Sequence, residues 1–117
     1  MPKVLVVEDD PVQLETRRLL LERSGFEVLC APGVDDALAV LRSETPASVV
    51  MDLRLPRTSD GRRLIRQIRK ASKDIGIVVL SGYPEDLEDT PERGIVAQVL
   101  RKPVRTEMLV ATLRKMA

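Results

Sequence analysis

The sequence predicts an α/β protein, a single-domain three-layer α/β/α sandwich of (βα)5 order around a five-stranded parallel sheet. Three observations predict it. Five short runs rich in Val, Ile and Leu recur along the chain, at Lys3–Val7, Glu27–Ala31, Ala47–Met51, Ile75–Leu80 and Val96–Arg101. Their hydrophobicity is continuous rather than alternating, which suits strands covered on both faces. Helical signals lie between them, and right-handed β-α-β crossovers then put helices on both sides of one sheet. The 117 residues, 44% of them apolar, match one compact core, assigned to residues 1–117.

Each helix has its own signature. Asp10-Pro11 opens the first, because Asp is a good N-cap, Pro is favoured at the first helical position and Gln13 completes a capping-box spacing. Leu19, Leu20 and Leu21 are its expected core face, and Ser24-Gly25 ends it. Val34, Ala37, Leu38 and Leu41 form the stripe of the second helix. Gly61, Leu64, Ile65 and Ile68 form that of the third, with Arg62, Arg63, Arg66 and Arg69 turned mostly outward as a solvated face. The last helix runs from an N-cap at Thr106 through Leu109, Val110 and Leu113, and Arg114 and Lys115 suit its negative end. The fourth is weak. Between Pro84 and Gly94 only Leu87 is clearly apolar, Pro91 interrupts, and the acids read as exposed, so a short or irregular element is expected.

Composition removes several function classes. With 19 basic and 18 acidic residues, the net charge of +1 gives no reason to expect direct nucleic-acid or membrane binding. No apolar run approaches the roughly 20 residues that span a bilayer, and the N-terminus does not read as a signal peptide. The one cysteine, Cys30, is expected to be a small buried apolar residue of the second strand, in a reducing, cytoplasmic setting. The chain has no histidine, which excludes histidine-dependent nucleophilic triads and histidine metal sites.

Chemistry must therefore come from carboxylates, hydroxyls and amines, and these collect at the strand ends, where open α/β sheets place their crevice. Glu8 and Asp9 follow the first strand, Asp52 the third, Ser81 the fourth, and Lys102 the fifth with Pro103 behind it. Two like charges about 4 Å apart repel by roughly 4 kcal/mol at an effective dielectric near 20, so clustered carboxylates need a cation. An oxygen-only ligand set points to Mg²⁺, with Mn²⁺ as the other choice. A carboxylate there is a candidate nucleophile for an aspartyl phosphate, with Lys102 and Ser81 facing the phosphoryl oxygens.

The motifs Val6-Val7-Glu8-Asp9-Asp10, Met51-Asp52-Leu53-Arg54-Leu55-Pro56, Asp60-Gly61, Leu80-Ser81-Gly82 and Lys102-Pro103 stand in order along almost the whole chain. Together they resemble the response-regulator receiver domains of two-component signalling, which have a flavodoxin-like fold. The resemblance implies that Asp52 accepts phosphate from a sensor histidine kinase or phosphotransfer protein. It implies that Glu8, Asp9, Asp52 and the backbone carbonyl of Arg54 hold Mg²⁺, that Ser81 and Lys102 read the phosphate, and that the bond before Pro103 is cis. It further implies catalysis only of the chain's own phosphorylation and dephosphorylation, output by protein contact, and a monomer or weak phosphorylation-dependent dimer. The chain ends after the last helix, so a stand-alone regulator and a receiver from a longer protein both remain open. A degenerate receiver is disfavoured because every acid and the lysine are present. An aspartate-nucleophile phosphatase is disfavoured because Arg54 stands where its second acid belongs.

Two departures from the family matter. Val99 stands where receivers usually carry Tyr or Phe, which shifts the expected switch from the usual hydroxyl–aromatic pair to the fourth segment. The loop from Asp52 to Asp60-Gly61 is one residue longer than usual and the stretch from Ser81 to Lys102 slightly short. Arg54 and Tyr83, each two residues beyond a site residue, are expected to form a cation–π pair that screens the acyl phosphate beside Gly82.

Overall fold

The computed structural model describes residues 2–116. The elements are β1 (Lys3–Val7), α1 (Pro11–Arg23), β2 (Glu27–Ala31), α2 (Val34–Ser43), β3 (Ser48–Asp52), α3 (Thr58–Ala71), β4 (Gly76–Ser81), β5 (Gln98–Arg101) and α4 (Thr106–Met116). The strands form one parallel sheet in the order β2-β1-β3-β4-β5. Val6 lies beside Val50, and Val50 beside Val78, so three valines cross the centre of the sheet in register.

Both faces are dry, as the continuous apolar runs require. Leu5, Val49, Met51, Ile77 and Val79 pack with α2 and α3. Val4, Val6, Val50, Val78 and Leu80 pack with Leu21 of α1 and Leu109, Val110 and Leu113 of α4. Two-sided burial of successive strand residues leaves polar groups only at the strand ends.

Asp10 caps α1 as its sequence position predicts, with Oδ1 accepting from the N–H groups of Val12 (2.9 Å) and Gln13 (3.3 Å). The other half of the capping box is different. Gln13 Nε2 donates to Asp10 Oδ2 at 3.3 Å, while the Asp10 N–H donates to Glu8 Oε2 at 3.1 Å. Leu19 is exposed and Leu21 fully buried, because three consecutive helical residues cannot share one face. Thr106 is the first helical residue of α4 rather than its cap, and the Arg105 carbonyl accepts the Leu109 N–H at 3.1 Å. Cys30 is only partly buried, since β2 is an edge strand, and burial pushes its thiol upward.

The fourth crossover contains two 3₁₀ turns, Pro84–Asp86 and Pro91–Gly94, in place of an α-helix. Each starts with a proline, and Asp89 between them has φ 59°, outside helical space. Its second turn also delays β5, because the Ile95 and Val96 N–H groups bond back to the Glu92 carbonyl and the strand begins at Gln98. Leu87 is fully buried and anchors the segment to the α3 side of the core.

Glu92 corrects the expectation that the acids of this segment are exposed. It is 2% exposed. Arg62 Nε lies 2.6 Å from its Oε1 and Arg66 Nη1 lies 3.0 Å from its Oε2. Arg69 of the same helix donates to the Ile95 carbonyl at 3.2 Å. Arg62, Arg66 and Arg69 are thus a clamp on the fourth crossover, whereas Arg63 stays exposed and faces Asp35 of α2. Burial pushes the Glu92 carboxyl up, but the hydrogen bonds from Arg62 and Arg66 outweigh it and hold the carboxyl below its ordinary value.

A depressed folded-state pKa contributes stability above the unfolded value, which is about 4.3 for Glu, and that stability is lost as pH falls through the folded value. Glu92→Gln should therefore lower the urea midpoint near neutral pH. Its deficit against the unsubstituted chain should shrink as pH drops below the ordinary Glu range; a pH-independent deficit would show that the clamp is not ionic.

Candidate functional site

Parallel strands deliver their final residues to one edge, and four of the five strands contribute here. Glu8 follows β1 and is 1% exposed, Asp52 ends β3 at 6%, and Ser81 ends β4 at 5%. Lys102 follows β5, with its N–H bonded to the Ser81 carbonyl at 2.9 Å. Asp9 is exposed at the rim. One carboxylate oxygen from each of Glu8, Asp9 and Asp52 lies within 4.8 Å of the others.

This crowding sets the electrostatics. Burial first, and then the neighbouring Asp52 carboxylate, push the Glu8 carboxyl above its ordinary value. Burial and then Glu8 do the same to Asp9. Lys102 Nζ lies 3.1 Å from Asp52 Oδ1 and 3.8 Å from Glu8 Oε1. The shorter contact is an ion pair without hydrogen-bond alignment, and among the described residues the buried Asp52 Oδ1 receives no hydrogen bond. A buried carboxylate oxygen with ion-pair contacts but no hydrogen bond keeps acceptor capacity for a further ligand. Three clustered carboxylates and no softer donor fit a hard divalent cation at this place.

A small cleft beside the acids is lined by Asp52, Arg54, Ser81, Gly82, Tyr83 and Lys102. Ser81 Oγ accepts the Tyr83 N–H at 3.0 Å, which holds the hydroxyl at the end of β4. The Arg54 guanidinium stacks on the Tyr83 ring at 4.5 Å to its centroid, and its Nη2 donates to Asp86 Oδ2 at 3.0 Å. The cation–π contact expected from sequence is therefore present, together with an ion pair to the first 3₁₀ turn. Val99 lies away from the cleft, beside Val79, partly buried against the α3-side core. The Lys102–Pro103 bond is cis, as is Leu55–Pro56.

Gly61 sets how closely α3 approaches the chain just after Asp52. A Cβ there would sit 1.8 Å from the Leu53 carbonyl oxygen, one residue beyond Asp52. Only glycine lets α3 approach the backbone that carries the acid, although glycine usually weakens a helix interior. Asp60 accepts the Arg57 N–H at 3.2 Å and fixes the start of that helix.

A further residue that the sequence did not mark reaches the acids. Arg17 of α1 extends Nη1 to 3.4 Å from Glu8 Oε1 and 3.8 Å from Asp52 Oδ1. Helical side chains lean towards the N-terminus, and the N-terminus of α1 adjoins the acids. The signal in sequence was a cation on the apolar stripe, at i+3 from Leu14 and i−4 from Leu21.

The chain matches the family model described as the response regulator receiver domain over residues 4–114. It is 31% identical over 116 residues to the protein PilH of Pseudomonas aeruginosa, covering 97% of this chain and 95% of PilH. It is 36% identical over 93 residues to the transcriptional regulatory protein AruR of the same species, covering 75% of this chain and 37% of AruR. The chain thus spans well under half of that regulator's length. Among solved structures, a response regulator protein from Burkholderia pseudomallei with a phosphorylated aspartic acid, calcium ion and citrate superposes with a TM-score of 0.83. It is 28% identical, with 97% of this chain and 66% of that one covered.

Gly61→Ala should be destabilising by about 1–3 kcal/mol or more, as overpacked sites against fixed backbone are, read as a fall in the urea midpoint. An unchanged midpoint would mean that α3 and the Leu53 backbone separate freely.

Proposed function

Since this chain belongs to the response regulator receiver domain family, we propose that it is the phosphoacceptor of a bacterial two-component system, with Asp52 taking the phosphoryl group. The observation that carries this reading is the buried Asp52 Oδ1, which receives no hydrogen bond among the described residues and faces the Lys102 ammonium at 3.1 Å inside a carboxylate cluster. The phosphorylated aspartic acid and the metal ion of the Burkholderia relative support the same chemistry here.

In this reading an Asp52 oxygen attacks the phosphorus of a phosphohistidine on a sensor kinase or phosphotransfer protein. The O–P bond forms as the P–N bond breaks, and the imidazole nitrogen leaves with the electron pair. Glu8, Asp9, Asp52 and the Arg54 carbonyl would hold Mg²⁺, or Mn²⁺, which supplies charge neutralisation for the phosphoryl oxygens. Lys102 pairs with the oxyanion, and the Ser81 hydroxyl donates to it. The chain acts only on its own Asp52 and is not an enzyme towards other substrates. Its output is protein contact in a cytoplasmic setting, as a monomer or weak phosphorylation-dependent dimer.

The cation–π pair of Arg54 and Tyr83 stands over the same cleft and screens the acyl phosphate from water. Through Asp86, Arg54 also ties the site to the fourth crossover, which takes the switching role that Val99 is too short to fill.

Intact mass after incubation with acetyl phosphate should show one added phosphoryl group that requires both Mg²⁺ and Asp52, and is absent in Asp52→Asn. Hydrogen exchange on the same sample should change across residues 84–94. No adduct from either acetyl phosphate or a promiscuous histidine kinase, with Mg²⁺ bound, would leave only a phosphorylation-independent binding module. Replacing Arg54 and Tyr83 together with Ala should speed loss of the phosphoryl group, and an unchanged lifetime would rule out the screen.

A further inference from the structure

We propose that Arg17 is a built-in counter-ion that competes with divalent metal for Glu8 and Asp52, weakening Mg²⁺ binding to the unphosphorylated chain. The inference rests on the receiver reading only in taking Mg²⁺ as the metal.

Arg17 Nη1 contacts Glu8 Oε1 and Asp52 Oδ1, and Lys102 Nζ contacts the same two oxygens. Two cations therefore share one pair of buried carboxylates, and these are two of the three acids that could hold a metal. The three acids carry three negative charges, which Lys102 and Arg17 reduce to one. A divalent ion entering there meets less attraction, and the guanidinium must share or yield its carboxylates.

The position is not one of chance solvation. The Arg17 side chain is only 18% exposed, whereas Arg18 beside it pairs on the surface with Glu15 and Glu22. It stands on the helix face between Leu14 and Leu21, which pack into the core, and the lean of helical side chains towards the N-terminus aims its head at the acids. Arginine cannot relieve the repulsion by losing its proton, so the competition persists across the physiological pH range.

The test is isothermal titration of the full chain with MgCl₂ at constant ionic strength, without phosphodonor. Arg17→Met, close in length but uncharged, should bind Mg²⁺ about three- to tenfold more tightly than the unsubstituted chain. Arg17→Lys, which restores the charge, should return the affinity towards the original. Thermal melts give a second reading. Arg17→Met should melt lower than the unsubstituted chain without metal, yet gain more from saturating Mg²⁺. A purely structural arginine would lower the melt and leave the Mg²⁺ affinity unchanged, and that result overturns the inference. Should Arg17→Met fail to fold, Arg17→Gln carries the same comparison. If neither the variant nor the unsubstituted chain binds Mg²⁺, the metal assignment of the receiver reading falls as well. Equal binding by both sinks the Arg17 inference alone.

Discussion

Mutual repulsion of Glu8, Asp9 and Asp52 is the constraint on which the rest of the site depends. β1 and β3 are neighbours in the sheet, so their ends bring the acids together whether or not a cation is near. The fold supplies compensation from two directions. Lys102 comes from the end of β5, across β4, and Arg17 comes down from α1. Burial raises the cost of each charge and also strengthens each pairing, which is why a few ångströms in the position of either cation matter. The apolar sheet beneath, dry on both faces, carries the stability that lets the edge hold this unfavourable cluster.

The segment between Ser81 and Lys102 is built differently from the other crossovers. It lacks the amphipathic stripe that would let a helix lie on the sheet. Leu87 anchors its first part and Ile95 and Val96 its end to the α3-side core, and ionic contacts add to them. Asp86 pairs with Arg54, two residues after Asp52, and Glu92 is held by Arg62 and Arg66 of α3, which begins in the loop after Asp52. Both turns are therefore tied to chain that leads away from Asp52. A change of charge at Asp52 has a short physical route to this segment, through side chains that pair by charge.

The sequence by itself determined what is local or periodic. Apolar runs marked the five strands, most fully β1, β3 and β4, because a strand covered on both faces must be apolar at successive residues, whereas the edge strands β2 and β5 keep exposed polar ends. Asp10-Pro11 marked the start of α1 because a cap bonds to N–H groups two and three residues away. The β-α order placed Glu8, Asp52, Ser81 and Lys102 at one sheet edge, since parallel strands finish together. Tertiary structure alone decided the contacts between distant segments. Arg17 at Glu8, Glu92 between two arginines and Asp86 at Arg54 each join side chains whose meeting depends on how helices sit on the sheet. Charge at a single position is the same letter whether it faces water or a buried partner. Only the packed fold, which removes water from one side of Glu92 and leaves Asp9 at the rim, gives the two acids different physics.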